Sequence, residues 1–128
     1  MRALHALRIF QRLLSNWPEV WAAYRRMEPI HELKIRGGMV VKCGSNDDPL
    51  FLLREIFSDR CYDCPGFYAP AAGDTIVDIG ANIGMFAVYM QWKAPGVRVH
   101  CFEPAAAADH LVELQAPVQV EVDEPRHV

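Results

Sequence analysis

The sequence predicts an α/β fold in which a small parallel sheet with helices follows an N-terminal extension. Residues 75–79 and 97–102 are short apolar runs rich in β-branched side chains, and they flank an apolar segment, residues 84–92, that is long enough for a helix. A strand–helix–strand order implies parallel strands joined by right-handed crossovers. We therefore expect an extension at residues 1–66 and a sheet-containing domain at residues 67–128.

Two helices are predicted at the start of the extension. Apolar side chains recur at helical spacing through residues 2–14, which is typical of an amphipathic helix. A second helix is predicted over residues 18–27, with Pro18 in its first turn. It ends before Pro29, because a residue that precedes proline disfavours helical backbone angles.

A β-hairpin and a capped helix are predicted next. Residues 32–43 alternate between apolar and polar side chains around Gly37 and Gly38, and glycines supply the positive φ of a tight turn. Asp48 is a favourable N-cap, and Pro49 suits the first helical position that follows it.

The sheet-containing domain is expected to follow a connecting loop and to hold a third strand. Residues 58–74 are rich in proline, glycine and aspartate, as is typical of a loop. After the second strand, an alanine-rich helix is predicted over residues 104–115, and a third strand over residues 118–122.

Composition excludes several functional classes. The chain has 128 residues, of which 52% are hydrophobic and 23% charged, as expected for a globular protein. The net charge of −3 lacks the basic excess of a general nucleic-acid binder, so no nucleic-acid partner is expected. No apolar run is long enough to suggest a membrane span, and the N-terminus lacks the uninterrupted apolar centre of a secretory signal. A cytoplasmic location is expected.

The four cysteines predict no metal site. Cys61 and Cys64 have C-x-x-C spacing, which is compatible with two zinc ligands or a redox pair. No second ligand pair follows for a four-ligand zinc site. A redox pair would be expected at a helix N-terminus, but a Pro-Gly turn follows Cys64. We expect free thiols in a reducing compartment.

The loop after the first parallel strand is the main candidate site. Asp78 lies near the end of the strand, Gly80 ends it and Gly84 begins the helix, which is where open α/β sheets bind ligands. The dinucleotide fingerprint G-x-G-x-x-G would require glycine at Asn82, and no Walker motif is present. An acid at the strand end would repel a pyrophosphate but suits a ligand that carries an ammonium group.

A second acid, Glu103, lies at the end of the next strand. A carboxylate there can accept hydrogen bonds from both hydroxyls of a ribose. An acid, a G-x-x-x-G loop and a ribose-binding acid together form a pattern typical of S-adenosylmethionine sites. A tight strand–helix turn with a chance acid, and a dinucleotide site, are the alternatives.

Three stretches of the sequence resemble the FkbM-type S-adenosylmethionine-dependent methyltransferases. They are "LREIFSDRCYD", "GDTIVDIGANIGMFAVYM" and "VHCFEP". The resemblance implies a class I, Rossmann-like methyltransferase fold. It also implies O-methylation of a hydroxyl on a small-molecule acceptor, a polyketide-like natural product or a sugar.

The resemblance also implies roles for individual residues. The methionine part of S-adenosylmethionine would be surrounded by the strand end and the glycine loop: Asp78, Gly80, Ala81, Asn82 and Gly84. Glu103 would bind the ribose, while Phe102 and Pro104 would border the adenine. No catalytic residue is singled out.

The resemblance covers only part of the family's fold. Members carry a seven-stranded sheet, whereas this chain ends near its third strand, so a truncated sheet is expected. The edge of strand 75–79 would then be covered by the N-terminal helices, by a second copy in a homo-oligomer, or by a missing C-terminal half. A non-catalytic remnant or interaction module is the alternative function, and a nucleotide-dependent oxidoreductase is a weaker one.

Overall fold

The computed structural model describes residues 3–66 and 68–102, which form a mixture of helices and two small sheets, in keeping with the predicted α/β class. Glu103, Pro104, the predicted helix over residues 104–115 and the predicted strand over residues 118–122 lie outside the described residues. None of the described helices is long and apolar enough to cross a membrane.

Both predicted N-terminal helices are present. Helix α1 (Ala3–Leu13) buries one stripe, made of Ala6, Ile9, Phe10 and Leu13, and helix α2 (Trp17–Arg26) packs against it. The two helices meet in an aromatic cluster, in which the Phe10 ring lies 5.7 Å from that of Tyr24.

The predicted hairpin is also present, as β1 (Glu32–Ile35) and β2 (Met39–Lys42). Its turn contains Gly37 at φ +109° and Gly38 at φ +91°, in the region that favours glycine. Asn16, just before α2, extends the sheet with its side chain. Its Nδ2 donates to the Glu32 carbonyl at 3.2 Å, and its Oδ1 accepts from the Lys34 amide at 2.9 Å.

The third helix begins as predicted and ends in an unexpected way. Helix α3 (Pro49–Leu53) is capped by Asp48, whose side chain accepts a hydrogen bond from the Phe51 amide at 3.0 Å. It continues directly into a π-helical turn, Arg54–Ser58, which the periodicity does not predict. The turn directs Phe57 into the core, where its ring lies 5.0 Å from that of Tyr89.

The second sheet has the predicted parallel pairing. Strand β3 (Thr75–Ile79) pairs with β4 (Arg98–Phe102), so that Asp78 lies opposite Cys101 and Ile79 opposite Phe102. Helix α4 (Met85–Lys93) connects the strands and is buried along most of its length. A helix that is apolar on nearly all sides requires packing from several directions, which the sheet, the π-helical turn and β2 supply.

Among residues 3–66 and 68–102, only one face of strand β3 is covered. Ile76 packs against the core, whereas Val77 is 58% exposed and Ile79 is 81% exposed. The N-terminal helices therefore do not cover this outer face. Within the described residues β3 pairs with β4 alone.

One buried cluster joins the extension to the second sheet. It contains side chains from α1, the hairpin, the π-helical turn, α4 and β4. The division of the chain at residues 66 and 67 stays a prediction, but the two parts share this core, which sets the position of the loop between β3 and α4.

Candidate functional site

The loop between β3 and α4 is shaped by three left-handed backbone positions. Gly80 has φ +80°, Asn82 +50° and Gly84 +76°. Glycine adopts such angles without strain, and asparagine does so more readily than most residues. A Cβ built on Gly80 would meet no heavy atom within 4 Å, so the space beside its backbone is open. The spacing of the two glycines thus follows from the turn that brings the chain from strand to helix.

This loop is held against the end of the neighbouring strand. The amides of Gly80 and Ala81 both donate to the Phe102 carbonyl, at 2.7 and 3.2 Å, and the Gly84 amide donates to the Ala81 carbonyl at 2.8 Å. Three of the predicted site residues, Gly80, Ala81 and Phe102, are therefore brought together at the carboxyl ends of both strands.

Asp78 lies one residue before the end of β3, and its Oδ2 atom is buried. Burial and, second, the negative charge of Asp78 raise the pKa of the Cys101 thiol to about 11. The carboxylate of Asp78 thus gives the strand end a local negative charge. This charge favours a cationic group of a ligand over a phosphate.

The N-terminus of α4 completes this edge of the site. Gly84 is the N-cap, and the amides of the first helical turn point back toward the loop, as at any helix N-terminus. The stretch from Asp78 to Met85 contains no lysine or arginine. The site thus combines an acid with open backbone and has no basic side chain in this stretch. These features are compatible with a ligand that carries an amino acid group and a nucleoside without phosphate, so the described residues fit S-adenosylmethionine.

A neighbouring segment that the sequence presents only as a loop also reaches this edge. The Tyr62 ring lies 4.6 Å from that of Phe86, in the first turn of α4. Next to it, Asp63 accepts a hydrogen bond from the Tyr89 hydroxyl at 2.7 Å and an ion-paired hydrogen bond from Lys93. These contacts connect residues far apart in the chain, which periodicity does not reveal. In the sequence, this segment is marked only by the stretch "LREIFSDRCYD", which resembles the FkbM-type methyltransferases.

Two of the predicted site residues, Glu103 and Pro104, lie outside the described residues. Their roles toward ribose and adenine therefore stay predictions. Phe102, which precedes them, is 40% exposed at the end of β4.

Other candidate sites in the described part of the chain are weaker. Cys61 and Cys64 are exposed free thiols, and no group of three or more metal-ligating side chains occurs among residues 3–66 and 68–102. An open cavity of about 300 Å³ lies at the hairpin turn, lined by Ser15 and residues 34–40. It shares no residue with the loop between β3 and α4.

The sequence is similar to curated methyltransferases over part of its length. The 31-O-demethyl-FK506 methyltransferase FkbM of Streptomyces tacrolimicus is 43% identical over 76 residues, which are 59% of this chain and 29% of that protein. Methyltransferase sdnD of Sordaria araneosa is 46% identical over 55 residues, 43% of this chain and 20% of the relative. Methyltransferase 1 of Beauveria bassiana is 50% identical over 58 residues, 44% of this chain and 22% of the relative.

In each case the match spans less than a third of the relative's length. No family model matches the sequence, and no solved structure matches it.

Proposed function

We propose, from the confirmed resemblance of this chain to the FkbM-type methyltransferases, that it carries the S-adenosylmethionine-binding part of an O-methyltransferase. The observation that carries the proposal is the arrangement at the end of β3. Asp78 precedes a loop with three left-handed positions, and this loop is bonded to the end of β4 and leads into α4. The proposal includes a cytoplasmic location, as expected from the sequence.

The proposed roles follow the geometry of this edge. Asp78, whose negative charge contributes to the raised pKa of Cys101 at the strand end, binds the ligand's ammonium group. The open backbone at Gly80, together with Ala81, Asn82 and Gly84, surrounds the methionine part of the ligand. The remaining proposed contacts are those of the second strand end, with Glu103 at the ribose and with Phe102 and Pro104 at the adenine.

The chemistry divides between cofactor and chain. When bound, S-adenosylmethionine supplies an electrophilic methyl group attached to a sulfonium. The chain contributes mainly orientation. It fixes the ligand at the strand ends so that the acceptor oxygen can approach the methyl carbon in the geometry that the transfer requires. The hydroxyl proton of the acceptor passes to a base or to water.

The proposed acceptor is a hydroxyl of a small molecule, a polyketide-like natural product or a sugar. The name of the Streptomyces relative specifies an O-demethyl compound as its substrate, which supports transfer to oxygen. The described residues bring no basic stripe to the loop that would favour a nucleic-acid acceptor.

Isothermal titration calorimetry with S-adenosylmethionine and with S-adenosylhomocysteine tests the proposal. We expect one binding site, and about a tenfold or larger loss of affinity in Asp78→Asn and in Glu103→Ala, because each removes a charge-assisted hydrogen bond. Glu28→Ala is the matched control, since Glu28 is an exposed acid of the extension. No binding by the folded chain would contradict the proposal, as would tighter binding of NADH, which the oxidoreductase alternative predicts.

Transfer of an isotopically labelled methyl group to a panel of hydroxylated small molecules tests catalysis separately. Binding without transfer to any acceptor would support the alternative, a non-catalytic module that keeps the fold. Labelled product would exclude that alternative.

A further inference from the structure

The ring of Tyr62 lies beside the proposed site without belonging to the residues assigned to it. It packs at a tilt of 58° against Phe86, with 4.6 Å between the ring centroids. Phe86 is the second residue of α4, directly after the left-handed loop, so this contact places Tyr62 at the helix end that faces the ligand.

The position of Tyr62 is fixed from both sides. On its C-terminal side, the Asp63 amide donates to the Arg60 carbonyl at 2.9 Å, while the Asp63 carboxylate is held by Tyr89 and Lys93. On its N-terminal side, the Cys61 amide donates to the Glu55 carbonyl at 3.3 Å. The loop is therefore anchored to the π-helical turn and to α4. These contacts hold the residues on both sides of Tyr62 in place.

The Tyr62 side chain is only partly buried. Tyr62 is 39% exposed, so one part of the ring packs on Phe86 and another part faces solvent. Burial, first, and then the charges of Cys61, Asp78 and Glu55 raise the pKa of the Tyr62 hydroxyl. Phe86, which the Tyr62 ring contacts, lies in the first turn of the helix that follows the loop beginning after Asp78.

An aromatic face next to a carboxylate is complementary to a cation. The ring quadrupole attracts an ammonium group placed over its face, and the neighbouring carboxylate adds a charge–charge attraction. A phosphate placed at the same point would instead be repelled by the carboxylate.

We propose that Tyr62 and Phe86 form an aromatic wall which, together with Asp78, binds the ammonium end of the ligand in this site. This assignment rests on the proposed function, because it takes the amino acid part of S-adenosylmethionine as the cation. It makes the loop before β3 part of the binding site, and it gives Tyr62 a binding role through its ring rather than through its hydroxyl.

The experiment compares two ligands in five proteins by calorimetry. S-adenosylhomocysteine carries the ammonium group, whereas 5′-methylthioadenosine keeps the nucleoside and lacks the amino acid. The proteins are wild type, Tyr62→Leu, Tyr62→Phe, Phe86→Leu and the control Tyr68→Leu. Tyr68 is also an exposed tyrosine, and its hydroxyl donates a hydrogen bond to Asp74, just before the opposite end of β3.

Tyr62→Leu is expected to weaken S-adenosylhomocysteine binding roughly two- to thirtyfold, the range of a cation–aromatic contact, and to leave 5′-methylthioadenosine binding unchanged. Tyr62→Phe and Tyr68→Leu are expected to bind both ligands as wild type does. Phe86→Leu is expected to reproduce the selective loss, which provides a second variant if Tyr62→Leu does not fold.

Three results would overturn the assignment. Equal losses for both ligands in Tyr62→Leu and Phe86→Leu would show a purely structural role. A loss in Tyr62→Phe as large as in Tyr62→Leu would show that the hydroxyl acts instead of the ring. Unchanged binding in Tyr62→Leu would show no role. Failure of the wild type to bind S-adenosylhomocysteine would instead overturn the proposed function itself, and the assignment with it.

Discussion

The hydroxyl of Tyr89 donates a hydrogen bond of 2.7 Å to the carboxylate of Asp63 and so connects the middle of α4 to the loop that carries Tyr62. Lys93, one helical turn further along α4, donates to the other carboxylate oxygen and lies over the Tyr89 ring. The three side chains hold the loop and the helix together at the border of the proposed site.

Asp63→Asn is expected to destabilise the fold by about 1 kcal/mol, because it weakens two hydrogen bonds to a charged group that is partly shielded from solvent. Urea denaturation followed by circular dichroism measures the change. Asp59→Asn is the control: Asp59 pairs with Arg54 at an exposed position and is expected to change stability by less than about 0.5 kcal/mol. Equal losses in the two variants would argue against the linking role of Asp63.

The contribution of Asp63 is expected to depend on pH. Its hydrogen bonds with Lys93 and, second, with Tyr89 hold the pKa of the carboxyl below its usual value. A group whose pKa is lowered on folding stabilises the fold above its unfolded pKa, which is about 4 for aspartate, and loses this contribution as the pH falls through the folded pKa. The stability difference between wild type and Asp63→Asn should therefore be constant near neutral pH and should shrink below about pH 4. A difference that persists undiminished at pH 2 would contradict this assignment.

The four thiols are expected to fall into two reactivity classes. Cys61 and Cys64 are exposed, whereas Cys43 and Cys101 are buried, and burial is the largest cause that raises their thiol pKa values to about 12 and about 11. A chromogenic disulfide reagent at pH 8 should modify two thiols of the native protein quickly, and all four only after denaturation. Rapid modification of Cys101 would mean that the end of β4 opens more readily than its burial indicates.

Gly80→Ala and Gly38→Ala form a matched pair that separates strain from binding. Both glycines have positive φ, and at neither would a Cβ meet a heavy atom within 4 Å, so each alanine should cost about 1 kcal/mol of stability through backbone strain alone. Only Gly80→Ala should also weaken S-adenosylhomocysteine binding, since Gly38 lies in the hairpin turn. Equal ligand affinity in the two variants would exclude the backbone of Gly80 from the binding site.

The parts of the fold that the sequence predicts correctly are those with a local pattern. The amphipathic repeat of α1, the Gly37–Gly38 turn and the Asp48–Pro49 cap each involve residues close together in the chain, and each is confirmed. The parallel pairing of β3 and β4 follows from strand–helix–strand order and is also confirmed.

The unpredicted parts arise from contacts between distant residues. The π-helical turn at Arg54–Ser58 brings Phe57 to Tyr89, and the bond from Tyr89 to Asp63 spans 26 residues. Neither the turn nor this hydrogen bond is indicated by periodicity in the sequence, because both depend on packing against α4. At the candidate site, glycine spacing predicts the loop, whereas the approach of Tyr62 to Phe86 depends on this tertiary packing.

Amide NMR spectra of the ¹⁵N-labelled chain show directly whether the loop between β3 and α4 holds S-adenosylmethionine, as proposed. On addition of S-adenosylhomocysteine, we expect saturable shifts that are largest for the amides of Gly80, Ala81 and Gly84, with those of Gly37 and Gly38 unchanged. Spectra that stay unchanged at saturating ligand, or shifts confined to the hairpin turn, would contradict it.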